Sequence, residues 1–327
     1  MGGETLLGRE LREVLESRAT GAVITTYAAT GEGNFGEEDG EAIYRDPLEA
    51  QSLANQDAAL IAGSPEGARK AYSLVKAAGG RPMLIDCVGH LDHEPETRIV
   101  APVWQPPEVK TSWLLVIAHP AASALALVLT RLASRQQIRR AVVNIFEPAS
   151  ERGKRGLSEL HEQTKSLLAF KGLDKDVFDA QLSFNMLPQY GEQAPAKLAG
   201  VEQRIEKHLA TLLGAQGQAP VPMPSLRLIQ APVFHGYSIS VWVEFESDVR
   251  ADQLAESLAS AQIEVRGQNQ EAPNNVGAAG QSGLIAGDIR VDRNNARAAW
   301  IWIVGDNLRL TADAAADLIT GAGTHPQ

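Results

Sequence analysis

Apolar and polar positions alternate over the first third of this chain in a way that predicts short strands between helices. Residues 6–18 place Leu7, Leu11, Val14 and Leu15 on one helical face. Residues 65–78 predict a second helix, and the predicted strands cover 22–27, 58–62, 82–86 and 113–118. Apolar strands that alternate with helices are typical of a parallel sheet with helices on both faces.

The pattern changes after residue 118, where longer strands are predicted. Residues 226–246 predict a strand that is broken near His235, and its second half alternates strictly between apolar and polar residues. Residues 285–292 and 297–304 predict two strands of a hairpin. The remaining elements are strands over 141–146 and 263–266, and helices over 121–133, 156–170, 197–213, 250–261 and 307–320. This order predicts an α+β domain whose sheet is mixed or antiparallel.

Three polar segments predict loops: an acidic, glycine-rich one over 30–41, a proline-rich connection over 216–224, and a third loop over 268–283. Trp242, Trp300 and Trp302 lie on predicted strands, where they can serve as core residues or as interface anchors, and the core is favoured.

Charge and cysteine content narrow the class of protein. The net charge is −10 with no run of Lys or Arg, which argues against a nucleic-acid partner. The single cysteine, Cys87, excludes an internal disulfide. There is no apolar run of the length that a membrane span needs, and the amino terminus lacks a signal-peptide pattern. We therefore expect a cytoplasmic protein with neither a membrane nor a nucleic acid as partner.

Several segments together resemble the aspartate-semialdehyde dehydrogenase family. They are ERGKRGLSELHEQTKSLL at 151–168, FNMLPQ at 184–189, QAPVFHGYSISVWVEFE at 230–246, GDIRVDR at 287–293 and WIVGDNLR at 302–309. The resemblance implies a Rossmann-type NADP-binding domain over 1–118, to which residues 305–327 return. It implies an α+β dimerisation domain over 119–304, and a homodimer.

The family's reaction depends on a cysteine thiolate that forms a thioester while NADPH supplies hydride. The family motif Asn-Pro-Asn-Cys opens the first helix of the second domain. This chain reads His119-Pro120-Ala121-Ala122 there, so the resemblance places Ala122 at the position of the nucleophile. A methyl group cannot attack a carbonyl carbon.

Three further family positions are changed. Glu147 stands where a glutamine orients the intermediate, Gln230 where an arginine binds the substrate carboxylate, and Tyr237 where a histidine acts as acid and base. His235, two residues before Tyr237, could replace that histidine if the strand continued through it. The four changes together predict that no family catalytic residue is intact.

The family's phosphate-binding loop corresponds to Gly2, Gly3, Thr5 and Gly8, with Glu4 between them. Thr5 stands where a glycine is usual, Glu4 would repel phosphate, and the strand expected before the loop is missing from this sequence. The segment after residue 24 offers no Lys or Arg for a 2′-phosphate. The cofactor is therefore unknown, and NADP is weakly supported.

Two other features of the sequence do not indicate a functional site. His90 and His93 with nearby acids form an incomplete ligand set, so no metal site is predicted. Cys87 follows a buried strand and is interpreted as a small core residue.

Two functions remain open at this point. The favoured one is a catalytically degenerate paralogue, a homodimer whose former active cleft is available to a small molecule or a protein. The alternative is an NAD(P)-dependent semialdehyde dehydrogenase of amino-acid biosynthesis that uses altered residues.

Overall fold

A computed structural model describes residues 1–19, 21–28, 33–38, 41–104, 112–215 and 221–323. The chain forms two compact units, one made of Met1–His119 with Thr311–Gln327, the other of Pro120–Leu310. Parts of two predicted loops, residues 30–32 with 39–40 and residues 216–220, lie outside the described residues.

The first unit contains a four-stranded parallel sheet in the order β3-β4-β6-β5. Its elements are α1 (Leu6–Arg18), β1 (Asn34–Glu38), β2 (Glu41–Arg45), α2 (Ala50–Ala54), β3 (Ala58–Ile61), α3 (Pro65–Ala77), β4 (Met83–Asp86), β5 (Thr97–Val100) and β6 (Leu114–Ile117). The strands are short and apolar because both faces of the sheet are covered.

Each face of this sheet has its own core. On one face α1 packs with Ile85 and Leu115 of the sheet and with Ala315 and Leu318 of the last helix. On the other face α3 packs against Leu84, and the same core includes Leu48 and Leu53. Helices on both faces of a parallel sheet are what the pattern predicted, and they define the Rossmann-like arrangement that the resemblance implied.

The structure corrects three predictions in this unit. Residues 22–27, predicted as a strand, have no regular secondary structure, although Ala28 bridges to Pro47. The segment predicted as a loop over 30–41 contributes to the antiparallel hairpin β1-β2. Strand β5 was not predicted, because its Thr-Arg-Ile-Val sequence lies at the edge of the sheet and is only half apolar.

The turn before α1 depends on glycine. Gly2 has φ +87°, and a Cβ there would lie 2.5 Å from the backbone nitrogen of Gly63. A Cβ on Gly8 would lie 2.0 Å from the carbonyl oxygen of Gly2. Thr5 caps α1, since its hydroxyl accepts from the Gly8 amide at 2.9 Å. The backbone can pass this close only where the side chains are hydrogen atoms.

The second unit is larger and contains the second sheet. Its elements are α4 (Pro120–Ala133), β7 (Ile138–Glu147), a 3-10 turn (Ala149–Arg152), α5 (Gly153–Leu168), α6 (Leu198–Gly214), β8 (Ser225–Gln230), β9 (Tyr237–Phe245), α7 (Ala251–Leu258), β10 (Ile263–Val265), α8 (Asn275–Ala278), β11 (Leu284–Asp292), β12 (Asn295–Gly305) and the start of α9 (Asn307–Gly323).

The six strands of this sheet run in the order β10-β11-β12-β9-β7-β8. Its outer pairs, β10-β11 and β7-β8, are parallel, and the three inner pairs are antiparallel. The mixed sheet predicted for this half is therefore confirmed. One face is buried through Val143, Ile239, Val241 and Ile301, while Trp300 is exposed on the other.

Three details of the second unit differ from the sequence patterns. The broken strand over 226–246 is two strands, because residues 231–236 leave the sheet and Gly236 has φ +81°. The predicted loop over 268–283 contains the short helix α8. Helix α9 continues to Gly323, three residues past its predicted end, and Asp306 caps its start by accepting from the Arg309 amide at 3.1 Å.

Within the described ranges, the search for a helix with the length and apolarity of a membrane span found none.

Replacing Gly8 by alanine should destabilise the first unit by about 1–3 kcal/mol, because the added methyl group overlaps the Gly2 carbonyl. Gly200→Ala in α6 is the matched control, since nothing lies within 4 Å of its Cβ position. That exposed helical change should instead be neutral or stabilise the second unit by about 0.5–1 kcal/mol. Denaturant unfolding measures both, and wild-type stability in Gly8→Ala would contradict the close approach.

Candidate functional site

Ala122, which the resemblance places at the position of the nucleophile, lies in the first turn of α4. Ala122 is the third residue of this helix and is completely buried. The helix N-terminus would stabilise a thiolate there through its exposed N–H groups. The alanine side chain has no polar atom, so it takes no part in the hydrogen bonds described next.

An ion pair lies at the end of β7. The alternation of this strand turns Glu147 to the buried face of the sheet. The chain then enters the 3-10 turn, which returns Arg152 to Glu147, and Arg152 Nη2 lies 2.7 Å from Glu147 Oε1. The Glu147 side chain is fully buried and that of Arg152 is 15% exposed. A buried carboxylate of this kind needs its cation, since desolvation disfavours the lone charge.

Tyr190 and Gln230 complete the shell of this ion pair. The Tyr190 hydroxyl donates to Gln230 Oε1 at 2.6 Å and lies 3.0 Å from Glu147 Oε1. Gln230 Nε2 donates to the Glu147 and Ala231 carbonyl oxygens at 2.8 and 3.1 Å. The guanidinium of Arg152 lies 5.9 Å from the centre of the Tyr190 ring. The amide of Gln230 is therefore committed to internal bonds.

Two buried atoms of this cluster have no hydrogen-bond partner among the described residues. They are Glu147 Oε2, an acceptor, and Arg152 Nε, a donor. Buried polar atoms without partners are uncommon and costly. A water molecule or a small ligand with one donor and one acceptor would satisfy both.

A second group of polar residues centres on Glu151. Its Oε1 accepts from Asn307 Nδ2 at 2.8 Å, and its carboxyl group is hydrogen-bonded to Tyr237. Asn307 Oδ1 in turn accepts from the Ser150 hydroxyl and the Gly236 amide, each at 3.1 Å. Asn307 thus joins the 3-10 turn, the bend before β9 and the start of α9.

Burial controls the protonation of this group. Desolvation, and after it the charge of Glu147, raise the pKa of Glu151 to about 7 against the attraction of Arg152. Burial, followed by the charge of Glu151, raises the pKa of Tyr237 well above 10. Burial and Glu147 likewise raise the pKa of Tyr190. Both tyrosines are therefore neutral hydrogen-bond donors at pH 7.

Four positions are altered according to the resemblance. The structure brings three of them into contact with one another or with shared neighbours. Glu147 and Gln230 bond directly, and Tyr237 joins through Glu151, which neighbours the ion pair. His235 precedes β9 and is separated from Tyr237 by the positive φ of Gly236, so the strand alternation does not extend to it.

Sequence reasoning missed Glu151, Arg152, Tyr190 and Asn307 as members of this cluster. The sequence did contain an indication of this cluster. Strand β7 ends at the buried Glu147, and two charged residues, Glu151 and Arg152, follow within five positions. Charged residues at such a place need partners, which the pattern alone did not identify.

The glycine-rich loop in the first unit fits a dinucleotide poorly. Gly2 and Gly8 allow close backbone approach, but the Gly8 amide is already bonded to the Thr5 hydroxyl. Thr5 also lies within hydrogen-bond distance of the Gly2 and Ala62 carbonyl oxygens. Glu4 adds a half-exposed carboxylate, paired with Arg45 at 3.3 Å. The loop is thus tied to the protein itself, and we derive no step through a nicotinamide cofactor.

The remaining candidates have structural contacts. His90 Nε2 lies 3.1 Å from the Gly63 carbonyl oxygen, and His93 is an exposed neighbour of Asp92. Cys87 is buried, and burial raises the pKa of its thiol. Across the described ranges, the search for three or more His, Cys, Asp or Glu residues grouped as metal ligands found none.

Comparison with known proteins places this fold in a class. Residues 129–310 match the family described as Semialdehyde dehydrogenase, dimerisation domain. This match covers more than half of the chain, and it includes both sheet strands that carry Glu147 and Gln230. The chain belongs to the semialdehyde dehydrogenase family.

Individual relatives agree with this assignment. The aspartate-semialdehyde dehydrogenase of Rickettsia bellii is 31% identical over 201 residues, 59% of this chain and 57% of that protein. The chain thus spans little more than half of that relative. The USG-1 protein homolog of Azotobacter vinelandii is 27% identical over 94% of this chain and 92% of that protein. The solved structure of a probable aspartate-semialdehyde dehydrogenase from Pseudomonas aeruginosa superposes with a TM-score of 0.84 at 25% identity, covering 99% of this chain and 97% of that one.

The raised pKa of Glu151 predicts a stability that falls as pH rises. The folded protein holds this proton up to about pH 7, whereas the unfolded chain releases it near 4.5, the ordinary value. Between these values the folded state binds more protons, so the free energy of unfolding decreases by about 3 kcal/mol from this group. Glu151→Gln should remove that decrease.

Unfolding midpoints measured from pH 5 to pH 8 test whether the stability of the wild type falls with pH while that of Glu151→Gln does not. Glu162→Gln is the control, because Glu162 is an exposed carboxylate paired with Lys165 at 2.9 Å. It should follow the wild-type profile. Equal slopes in wild type and Glu151→Gln would show that Glu151 is already ionised at pH 5.

Proposed function

We propose that this protein is a catalytically degenerate aspartate-semialdehyde dehydrogenase paralogue that acts in the cytoplasm as a homodimer and binds a small molecule or a protein partner. The observation that carries the proposal is the closed ion-pair cluster of Glu147, Arg152, Tyr190 and Gln230. It is combined with an alanine at the position where the resemblance expects the nucleophile. The name USG-1 protein homolog, borne by a relative that aligns over most of the chain, is compatible with a divergent subgroup.

The first support is the loss of covalent chemistry. A thioester needs a thiolate at the start of α4, and Ala122 has none. Cys87 belongs to the other unit, where it is buried in a hydrophobic core with its pKa raised. A neutral, buried thiol is a poor nucleophile.

The second support is the charge of the cluster. Gln230 is neutral and stands where the resemblance expects a cationic clamp for a carboxylate. Arg152 is cationic, but Glu147 already neutralises it at 2.7 Å. An anionic acyl phosphate would have to displace an internal carboxylate that is covalently fixed in place. We infer that the cluster disfavours anionic substrates of the family's kind.

The two unpartnered atoms support binding of a different ligand. Glu147 Oε2 accepts and Arg152 Nε donates, so a neutral molecule that carries both a donor and an acceptor matches them. Such a ligand would bind by hydrogen bonds alone, with no covalent step.

The exposed face of the six-stranded sheet supports the homodimer. Trp300 is 40% exposed and Val142 42% exposed on this face. The Trp242 and Trp300 indoles both donate to Asp292 Oδ2, at 2.9 and 3.0 Å. Phe146 and Trp302 pack with ring centres 5.9 Å apart. Ordered aromatic residues on an open face are typical interface anchors.

The alternative is an active NAD(P)-dependent semialdehyde dehydrogenase of amino-acid biosynthesis with relocated groups. Glu151 favours it most, because a carboxyl group with a pKa of about 7 suits a general acid or base. It would still require a nucleophile, and the polar side chains of this cluster include no thiol.

Restoring the cysteine should not restore the reaction. We expect Ala122→Cys, placed in a Cys87→Ala background so that it carries the only thiol, to show no oxidation of NADPH above the parent with acyl phosphates. The reason is that the clamp and the acid–base group are also replaced. Titration with a thiol reagent, before and after unfolding, checks that the new cysteine is present.

If the wild-type protein turns over substrate and Glu151→Gln or Glu147→Gln abolishes that turnover, the proposal of a degenerate paralogue is refuted. The alternative is then favoured. Arg250→Gln, whose exposed side chain pairs with Asp252, serves as the control for unspecific damage.

The wild-type protein should sediment as a dimer at micromolar concentration. Trp300→Arg places a charge in the middle of the proposed interface. It should raise the dissociation constant of the dimer by at least about tenfold. Phe170→Arg is the matched control, because Phe170 is 98% exposed after α5 and lies outside the sheet. A monomeric wild type, or equal dimers in all three proteins, would contradict this interface.

A further inference from the structure

The second unit contains a cavity at the outer edge of its sheet, where β10 ends. Strand β10 stops at Val265, and its pairing with β11 reaches only Ala286. Strand β11 continues to Asp292. The cavity lies between this continuation of β11 and the first turn of α7, and its volume is about 800 Å³. This volume falls within the range of about 300–1,000 Å³ that is typical of sites for small molecules.

The loop that follows β10 forms a wall of this cavity, and close contacts fix its position. A Cβ on Gly287 of β11 would lie 2.7 Å from Cδ of Pro273, so the loop packs directly on the backbone of the strand. The Gly267 amide donates to Gln270 Oε1 at 2.8 Å, which closes the turn of the loop. The cavity therefore has a fixed shape before any ligand binds, as sites for small molecules usually do.

The wall formed by β11 contains a β-bulge with unusual backbone geometry. Between the pairs Gly287–Trp302 and Arg290–Trp300, β11 has two residues where β12 has one. The first of these two residues is Asp288, which has φ +47° and lines the cavity. Glycine is the usual residue at the first position of a bulge when φ is positive. Other residues in this conformation are concentrated at functional sites, so an aspartate here indicates a role for its carboxylate.

The cavity wall carries charges of both signs in pairs that are open to solvent. Arg290 Nη2 lies 2.8 Å from Asp288 Oδ2, and these side chains are 61% and 47% exposed. Arg266 Nε lies 2.8 Å from Glu264 Oε1 at the end of β10. Exposed ion pairs contribute little to stability, because water solvates the separated ions well. The charged groups of a ligand can therefore exchange with these partners at a small cost in free energy.

The remaining lining restricts the class of ligand. Asp252 is already bonded, since its Oδ1 accepts from Arg250 Nε at 3.1 Å and from the Gln253 amide at 3.0 Å. The Trp302 ring is held by Phe146, with ring centres 5.9 Å apart. The apolar part of the wall consists of Ala251, Ala255, Val265, Ile289 and Trp302. A purely anionic ligand would meet the aspartates, and a purely cationic one would meet the arginines. Charge complementarity therefore favours a molecule with both charges and an apolar group.

We propose that this cavity binds a zwitterionic small molecule with an aromatic group, of the class of free aromatic α-amino acids. Arg266 and Arg290 would bind its carboxylate, and Asp288 would bind its ammonium group. The ring would pack against the apolar wall that includes Trp302. The lining shares no residue with the cluster around Glu147, so the inference goes beyond the proposed function and does not depend on it.

Titration of the isotope-labelled protein with L-phenylalanine tests this proposal. We expect saturable shifts of the NMR signals of the Trp302 indole and the Ile289 amide, because both residues line the cavity. N-acetyl-L-phenylalanine lacks the ammonium group, and L-phenylalaninamide lacks the carboxylate. Each should bind at least about tenfold more weakly than L-phenylalanine, since each leaves charged groups of the wall without a partner.

Asp288→Gly separates the binding role of this residue from a structural one. Glycine adopts φ +47° without strain, so the unfolding midpoint should not fall, whereas L-phenylalanine should bind at least about tenfold more weakly. Phe170→Gly is the matched control, because Phe170 also has a positive φ, +52°, and is 98% exposed after α5. It should bind L-phenylalanine as the wild type does.

Three results would overturn the proposal. They are an absence of saturable shifts with L-phenylalanine, equal binding of the three ligands, and wild-type affinity in Asp288→Gly. If the Trp302 indole signal responds to dilution of the protein and not to L-phenylalanine, a second copy of the chain occupies the cavity, and the proposal is likewise wrong.

Discussion

The buried pair of Glu147 and Arg152 is the interaction on which the second unit's site depends. The carboxylate is enclosed at the end of a central strand, where a lone charge would cost several kcal/mol. The guanidinium reaches it only because the 3-10 turn reverses the chain directly after β7. Tyr190 and Gln230 then orient toward the charge, and the loop that carries Tyr190 is fixed to the sheet through the Leu187–Gln230 bridge. Removing either ion would leave its partner uncompensated, so the turn, the loop and the two strands are energetically linked.

This linkage connects Glu147 and Gln230, two of the positions that the resemblance marks as altered. A carboxylate at position 147 beside a free arginine at position 230 would form a different pair, and a glutamine at 147 would leave Arg152 uncompensated. The neutral Gln230 is compatible with an ion pair formed elsewhere, and its amide bonds the Glu147 carbonyl at 2.8 Å. The aromatic hydroxyl at 237 is likewise compatible with a carboxyl group that burial keeps partly protonated. The residues at 147, 230 and 237 therefore belong to one network of internal bonds.

Sequence patterns predicted most helices and strands here because those elements bury one face each. Helix α1 matches its predicted bounds, since Leu11, Val14 and Leu15 are all buried. The pattern failed where a strand needs a neighbour, as over 22–27, and where a half-polar strand is added at an edge, as in β5. In the site, resemblance identified Glu147, Gln230 and Tyr237. Arg152, Tyr190 and Asn307 could not be found in this way, because their roles come from contacts between segments far apart in sequence.

Polar groups that are removed from water need hydrogen-bond partners, and the two units differ in how they supply them. In the second unit, the buried polar groups at the end of β7 are satisfied from within the chain, except for two side-chain atoms that lack a partner among the described residues. In the first unit, the free edge of β3 carries backbone groups, and Met1 satisfies one end of it. A backbone N–H that faces an apolar cavity without a partner costs about as much free energy as a lost hydrogen bond. A single side chain cannot form hydrogen bonds with several backbone groups along the edge of a strand. The compact cluster around Glu147 leaves one acceptor and one donor for a small molecule, whereas the edge of β3 presents main-chain groups at strand spacing.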